Sequence, residues 1–589
     1  MPADQRNDYE EWRLGIEPGE RHDPAAVHAP AASRPDPENE RLERPVMMIT
    51  VERLYWAILA LYALASRMLM LGARPLGPVE ARRALAAYQT MHLGVAPAPP
   101  AAWIQLLDAA LLGAFGAGDF SARLLFALCG VGLVLIALAF RPFIGRSGAL
   151  AMATMVALSP SLTYFSRSGV TQAPALLAAL TVVVLFATIA RAPSAGRAVG
   201  LGCAAGLALS ADAQNLVVGA GFALALAILG IWRLAGTDEL RLRLAIWWRR
   251  YSRLLSLAVV VAVLSWGVAG NGFFSRGFFS ALLTAIRANW SGAAAPGSAL
   301  AACLASLLCY EFLVAAAALV GVFAVLTNFA GSRSPLAIFA LIWTIMAAAF
   351  FALTPAFSPP WIVEILVPAI LLGAIGIEAL ARTRAWNLLF YPLAALGIAT
   401  FYVQMATNFV IVAPAPTEAP WARHALLFWS QPVTAAGATE ALARAVTAGG
   451  APATSVWIAA DSPVLEWYLR DLRSVHNPAD ADLIAGATEA PSGWPIAARS
   501  SFDLESWWRP GLGSLRARQA ILFLLLEHAW QPLESRSVTV LTRATIPPTP
   551  ITIYAPPASM PAASAAPSPR GSPTATPSIT STAAPQPTD

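Results

Sequence analysis

The sequence predicts a polytopic α-helical membrane protein with a C-terminal α/β domain outside the membrane. Three observations carry that expectation. The 589-residue chain is 57% hydrophobic and only 12% charged, whereas a soluble protein has about a quarter of its residues charged. Apolar runs near the ~20-residue length that spans hydrocarbon recur from about residue 51 to 412. Beyond about residue 412 they give way to short β-branched runs alternating with helical spacing.

Taken in order, residues 1–50 are rich in Glu, Asp, Arg and Pro and read as a disordered tail. Their polarity also argues against a cleavable signal peptide. The membrane region, 51–412, holds runs at 53–72, 122–140, 148–164, 173–190, 198–211, 215–233, 254–271, 300–327, 335–353, 360–380 and 388–412, or about eleven spans. The shorter piece 101–116 carries Asp108 and reads as a helix lying at the interface. Residues 413–545 form the expected α/β domain, large enough for its own core. There "TEALARAV" and "LRARQAILFLLLEHAW" are spaced as helices, and "TSVWIAA" and "SVTVLTR" read as strands. The last stretch, 546–589, is Pro/Ser/Thr/Ala-rich and reads as unfolded.

Short-loop arginines set the expected orientation. Loops with Arg141/Arg146, Arg191/Arg197, Arg333 and Arg382/Arg384 alternate with arginine-poor loops such as "SADAQ" and "TPAFSPPW". This places the N-terminus in the cytoplasm and the C-terminal domain outside a plasma membrane.

The net charge of +5 comes without a single lysine and sits mostly in loops, which gives nucleic-acid binding no support. Cys129, Cys203, Cys303 and Cys309 all lie in apolar runs. They suit helix packing and show neither a disulfide framework nor zinc spacing.

Several groups on the expected outer face are candidates for chemistry. The stretch "LGARPLGPVEARRALAAYQTM" brings Arg74, Arg82, Arg83 and Glu80 to the point where the chain leaves its first span. Glu80 and Arg83 share a helical face, which suits either a surface ion pair or a carboxylate usable as a general base. Arg82, Arg83, Arg167, Arg276 and Arg287 fall at the outer interface, where guanidinium forks suit phosphate oxygens or lipid headgroups. Asp212 interrupts two apolar runs, and Glu311 and Glu364 lie inside others. Acids at membrane depth are expensive and thereby candidates for function, although an outer turn would relieve Asp212.

The order of one span, a long outer loop opening with an acid, and a Pro-Pro before an amphipathic helix is distinctive. It is followed by "FGAGDFSARLLFALCGV" and, after the third span, by "LSPSLTYFSRSGV". This arrangement resembles the GT-C superfamily of membrane glycosyltransferases, in particular the protein-mannosyltransferase and aminoarabinose-transferase group, glycosyltransferase family 39. It is most like a prokaryotic subgroup named for association with glycan flippase activity. "DSPVLEWYLRDLRSVHNP" and "SWWRPGL" extend the likeness, so that it covers roughly residues 50–543.

The resemblance implies transfer of a sugar from a polyprenyl-phosphate carrier to an acceptor glycan, lipid or protein on the outer face. The family's Asp-Glu pair reads Val79-Glu80 here, "GVAPAPPAAW" lacks the subgroup's histidine, and "SRSGVTQ" lacks the second-loop acid. The resemblance assigns the base to the Asp of that pair, here Val79, which leaves Glu80 to deprotonate or orient the acceptor; Arg167 resembles the family's phosphate contact and, with Arg82 or Arg83, would hold the phosphate. Asp212 is a possible further polar site. A lone acid is a poor divalent-metal site, so a metal or other cofactor is left open. The departures motivate a second expectation: a non-catalytic lipid-linked-glycan binding or flippase-accessory protein on the same scaffold.

Overall fold

The computed structural model describes residues 50–97, 101–211, 215–235, 240–272, 279–280, 283–284, 287, 298–332, 334–353, 359–410, 433–434, 437–459, 461–507 and 534–544. The first helix, α1 (Val51–Met68), starts where Thr50 accepts a hydrogen bond from Arg53 N–H, satisfying one orphan donor of the first turn. Two shorter helices follow, α2 (Pro78–Leu93) and α3 (Ala102–Phe115). Pro78 opens α2 and Glu80 reaches back to the Gly77 N–H, as a third-position glutamate does in a capping box. α2 ends at Gly94, whose φ of 63° is left-handed and suits a residue without Cβ.

The bundle continues with α4 (Ser121–Leu135) and its extension α5 (Ala137–Ile144), α6 (Arg146–Leu158), α7 (Pro160–Arg167), α8 (Gln172–Arg191), α9 (Ala195–Ala211), α10 (Asn215–Ala235) and α11 (Leu240–Ala269). It closes with α12 (Ser298–Tyr310), α13 (Phe312–Thr327), α14 (Pro335–Leu353), α15 (Ile362–Ala381) and α16 (Trp386–Met405), the last running into a π turn at Ala406–Val410. Each expected span overlaps one of these helices. Among the described residues, six helices are long and apolar enough to cross a membrane, or seven if α6 and α7 form one bent span. α9 and α13 are shorter apolar helices.

Two expected spans are broken, for identifiable reasons. α6 and α7 meet at 58°, because Pro160 has no N–H to continue the ladder and its ring pushes Ser159 into extended backbone. The 300–327 run breaks at Glu311, which is fully buried. Its Oε1 accepts from Ser159 Oγ at 2.8 Å and from Ser161 N–H at 2.9 Å, so one broken helix caps the other. A carboxylate in apolar surroundings needs such donors, and the first turn of α7 has them free.

α15 is the axis of the bundle, with almost every residue buried. Small residues let α13 approach it closely: a Cβ on Gly376 would sit 2.6 Å from Gly321 Cα, and one on Gly321 would sit 2.2 Å from Leu372 O. Such contacts replace the hydrophobic drive that is lost among lipid tails.

The C-terminal region forms a six-stranded mixed sheet from β1 (Val433–Thr434), β2 (Ser455–Ile458), β3 (Arg473–Ser474), β4 (Leu483–Ala485), β5 (Ile496–Trp507) and β6 (Glu534–Arg543). The strand order is β1-β5-β6-β4-β2-β3. β2 runs parallel to β3 and β4, and the remaining pairs are antiparallel. α17 (Ala438–Thr447) and α18 (Pro463–Tyr468) accompany it, whereas the helix expected at 515–530 lies outside the described residues. The apolar faces of α2 and α3 share a core with this region, where Leu76, Ala84 and Leu112 join Leu442, Leu465 and Trp467. The sheet region thus covers the apolar faces of α2 and α3.

Asp108, at the centre of α3, is 1% exposed, and its Oδ1 has no hydrogen-bond partner among the described residues. Burial raises its pKa to about 7, with the nearby Arg83 cation pulling the other way. A carboxyl whose folded pKa lies above its unfolded value, near 3.8, favours the folded state while protonated. That advantage is complete below the unfolded value and is lost as pH rises through about 7. Asp108→Asn should therefore raise the thermal midpoint by an amount that grows between pH 5 and pH 8; a shift independent of pH would contradict this. Gly321→Val should overpack the α13–α15 contact, costing about 1–3 kcal/mol or more, read as a lower midpoint and loss of monodisperse protein.

Candidate functional site

The nine residues from Leu69 to Gly77 connect α1 to α2, and one side chain holds the stretch from Leu71 to Pro75 from below. Arg123, on the first turn of α4, is 1% exposed. Its Nη1 donates to Leu71 O at 3.1 Å and to Arg74 O, and its Nη2 donates to Pro75 O at 2.9 Å. The same guanidinium grips Glu80 with a fork, Nε to Oε1 at 3.0 Å and Nη2 to Oε2 at 2.7 Å. Bidentate geometry of this kind gives both strength and direction.

Glu80 accepts from three further groups: Arg74 Nη2 at 3.1 Å, Gly77 N–H at 2.8 Å and Gly169 N–H at 2.9 Å. Burial alone would raise its pKa, but the Arg123 and then the Arg74 cation hold it well below the usual carboxylate range. The base role expected of it would require this network to open, because both carboxylate oxygens are engaged. In place, Glu80 anchors two arginines and ties α2 to the turn after α7.

Arg74 is oriented by that anchor. It also donates to Tyr164 Oη at 3.0 Å and to Ser168 Oγ at 3.2 Å, and lies 5.3 Å from the Tyr164 ring centroid. Arg167, at the end of α7, donates to Ser66 O at 2.7 Å and stacks on Phe409 at 4.5 Å. Arg74, Arg123 and Arg167 then line one small cleft together with Met70, Tyr164 and Asn408. The cleft has about 10 Å³ of internal space, roughly that of one water-sized group. Arg123 spends its five N–H groups on Glu80 and the loop carbonyls and adds charge alone, so the donors for an anionic oxygen at an opening of that size are those of Arg74 and Arg167.

The predicted residues therefore separate. Arg167 lines the cleft and Glu80 stands one layer behind it. Arg82 is exposed, within electrostatic reach of Glu466, and Arg83 lies 5.3 Å over the Phe126 ring, beside Asp108. Neither lines the cleft. Arg287 is exposed on a helical segment, and Asp212 and Arg276 lie outside the described residues. Arg74 and Arg123 fill the places that Arg82 and Arg83 were expected to take. Arg123 had a readable signal, a cation at the start of an apolar run, where a charge is expensive unless paired.

The second broken helix supports the cleft from within the bundle. α7 has Glu311 at its first turn and Arg167 at its last. Asn408 Nδ2, from the π turn, donates to Pro160 O at 3.3 Å, and Gln404 Nε2 donates to Thr163 Oγ1 at 2.8 Å. From outside, α18 braces the loop that carries Arg74. Tyr468 Oη accepts from Leu76 N–H and donates to Asp119 Oδ2, both at 2.7 Å, while Trp467 Nε1 donates to Asp119 Oδ1 at 3.1 Å. Thr434 Oγ1 donates to Leu76 O. Among the described residues, no three His, Cys, Asp or Glu side chains converge as a metal site.

No family model matches the sequence, and neither does any curated protein. Among solved structures, the chain is similar to ArnT from Cupriavidus metallidurans bound to undecaprenyl phosphate, with a TM-score of 0.50 and 16% identity over 72% of this chain and 85% of that one. It is also similar to the oligosaccharyltransferase of Archaeoglobus fulgidus in the apo form (TM-score 0.44, 15% identity, 73% and 65% coverage). A third is the arabinosyltransferase EmbB from Mycobacterium smegmatis (TM-score 0.36, 14% identity, 69% and 41% coverage). All three are GT-C membrane glycosyltransferases, and at 16% identity the likeness to ArnT is one of architecture. The chain has the GT-C fold.

Proposed function

We propose that the chain is a membrane glycosyltransferase that takes a sugar from a polyprenyl-phosphate carrier, with the phosphate at the Arg74–Arg123–Arg167 cleft. The single observation that carries this is the convergence of three guanidinium groups on one small opening where the first outer loop meets α7. The shared fold with ArnT, whose structure holds undecaprenyl phosphate, supports the same reading. One phosphate oxygen enters the cleft and the remainder stays at its mouth. As the glycosidic bond to phosphate breaks, negative charge grows on the departing oxygen. Cations already fixed by Glu80, Tyr164 and the Ser66 carbonyl stabilise it without further reorganisation. Glu80 is a positioning residue in this scheme, and the sheet region, seated over α2 and α3, is the surface that meets the acceptor.

One observation favours the second reading, a carrier-binding protein without turnover. Glu80, the acid left to act as base, is locked in an ion-pair network, and the position to which the resemblance assigns the base is Val79, a residue without acid–base chemistry.

Purified protein with radiolabelled polyprenyl-phosphate sugar and, separately, undecaprenyl phosphate distinguishes the two. The wild type should bind the carrier, and Arg167→Ala should weaken binding at least about tenfold through loss of a charge-assisted contact. Glu80→Gln should lower binding and turnover together, since it releases two arginines. Lost turnover with unchanged binding would instead restore Glu80 as the base. Binding with no turnover by the wild type selects the second reading, and no binding ends both. Glu311→Gln keeps an oxygen that can accept from Ser159 and Ser161 and should bind carrier nearly as the wild type does. Glu311→Leu, which frees α7, should lose affinity as Arg167→Ala does; unchanged affinity would show that α7 needs no cap.

A further inference from the structure

Two apolar cavities lie end to end along α8, away from the arginine cleft. The first, about 150 Å³, lies between the early turns of α8 (Ala175, Ala179), the end of α9 and Trp343 of α14, and its one acidic lining group is the buried Glu364 of α15. The second, about 270 Å³, lies between the later turns (Val183, Ala187, Ala190), Leu226 and Leu229 of α10, and Phe339 of α14. Phe222 lines both and divides them, with its ring 5.0 Å from Phe339 and 5.5 Å from Trp343. The 20 residues of α8 cover roughly 30 Å, the thickness of the hydrocarbon layer.

The larger cavity is apolar along its length and polar at its far mouth. Arg191 and Ser334 close the larger cavity. The Arg191 side chain is held at that mouth: Nη1 donates to Pro142 O at 2.9 Å, and the guanidinium lies 4.2 Å from the Phe143 ring centroid. One of its five N–H groups is thus committed, and the exposed side chain turns others outward. An apolar slot within the bundle, ending in a fixed guanidinium at headgroup depth, is complementary to a lipid with an acyl chain and an anionic head. Arg191 stands at the opposite end of α8 from Gln172 and the neighbouring Arg167, so its ligand is a different molecule from one bound by phosphate in the arginine cleft.

We propose that the slot between α8, α10 and α14 is a structural lipid site for a diacyl phospholipid with an anionic headgroup. One acyl chain lies along Val183, Ala187 and Leu226 up to Phe222, and the phosphate contacts Arg191.

The full chain, purified from vesicles of equal dioleoyl-phosphatidylglycerol and dioleoyl-phosphatidylcholine, would be delipidated stepwise and its retained lipid measured by native mass spectrometry. The wild type should retain phosphatidylglycerol about fivefold over phosphatidylcholine, the preference that one interfacial arginine supplies. Ala187→Trp and Leu226→Trp, which fill the slot from opposite walls, should lose the retained lipid; size-exclusion profiles would confirm that each is folded. Arg191→Gln should retain lipid without the preference, and Arg167→Ala should behave as the wild type. Equal retention of both lipids by the wild type would overturn the proposal, as would full retention by a folded tryptophan variant. So would displacement of phosphatidylglycerol by undecaprenyl phosphate, which would assign the slot to the carrier. None of these readouts depends on glycosyl transfer.

Discussion

The fork between Arg123 and Glu80 is the interaction on which the outer end of this bundle depends. A buried cation and a buried carboxylate each cost several kcal/mol to desolvate and repay it only when every polar atom finds a partner. Here the pair recruits backbone from three places: carbonyls of the loop after α1, the N–H that opens α2, and the N–H of Gly169 after α7. The loop conformation, the start of α2 and the orientation of Arg74 are therefore one solution to one electrostatic problem. The neighbouring Arg167 carries a like charge yet stays in place, because a carbonyl and an aromatic face hold it.

Below that layer, the membrane helices depart from regularity where α7 needs support. A bend at Ser159, a break at Glu311 and a π turn at Ala406–Val410 converge: Ser161 N–H of α7 donates to Glu311, and Asn408 of the π turn donates to Pro160 O. Backbone groups released from a helix at this depth have no water to turn to, so such breaks persist only where protein supplies the missing partners. Two turns of helix thus become a rigid strut between a buried acid and an exposed site.

Hydropathy and period revealed the helices and the principal strands, because each reports a local choice between lipid, core and water. They did not reveal the interruption at Glu311. The 300–327 run reads as unbroken, and the hydroxyl that makes the break tolerable lies 152 positions away. The cleft was legible in part for the same reason. Arg167 stands in a recognisable local pattern. Arg74 and Arg82 look alike along the chain, and only the fold turns one toward Tyr164 and the other toward solvent. Glu80 was found as an acid of consequence, but its role depends on Arg123, 43 positions later.

The grip of the sheet region on Leu76 has a consequence for how the molecule is made. That residue is bonded through its N–H and its C=O to Tyr468 and Thr434, 392 and 358 positions further along. During synthesis from the N-terminus, this loop, two residues beyond Arg74, stays unlatched while the described helices of the bundle are produced. It is latched only when the sheet region has folded back over it, so the loop that carries Arg74 is translated early and secured late.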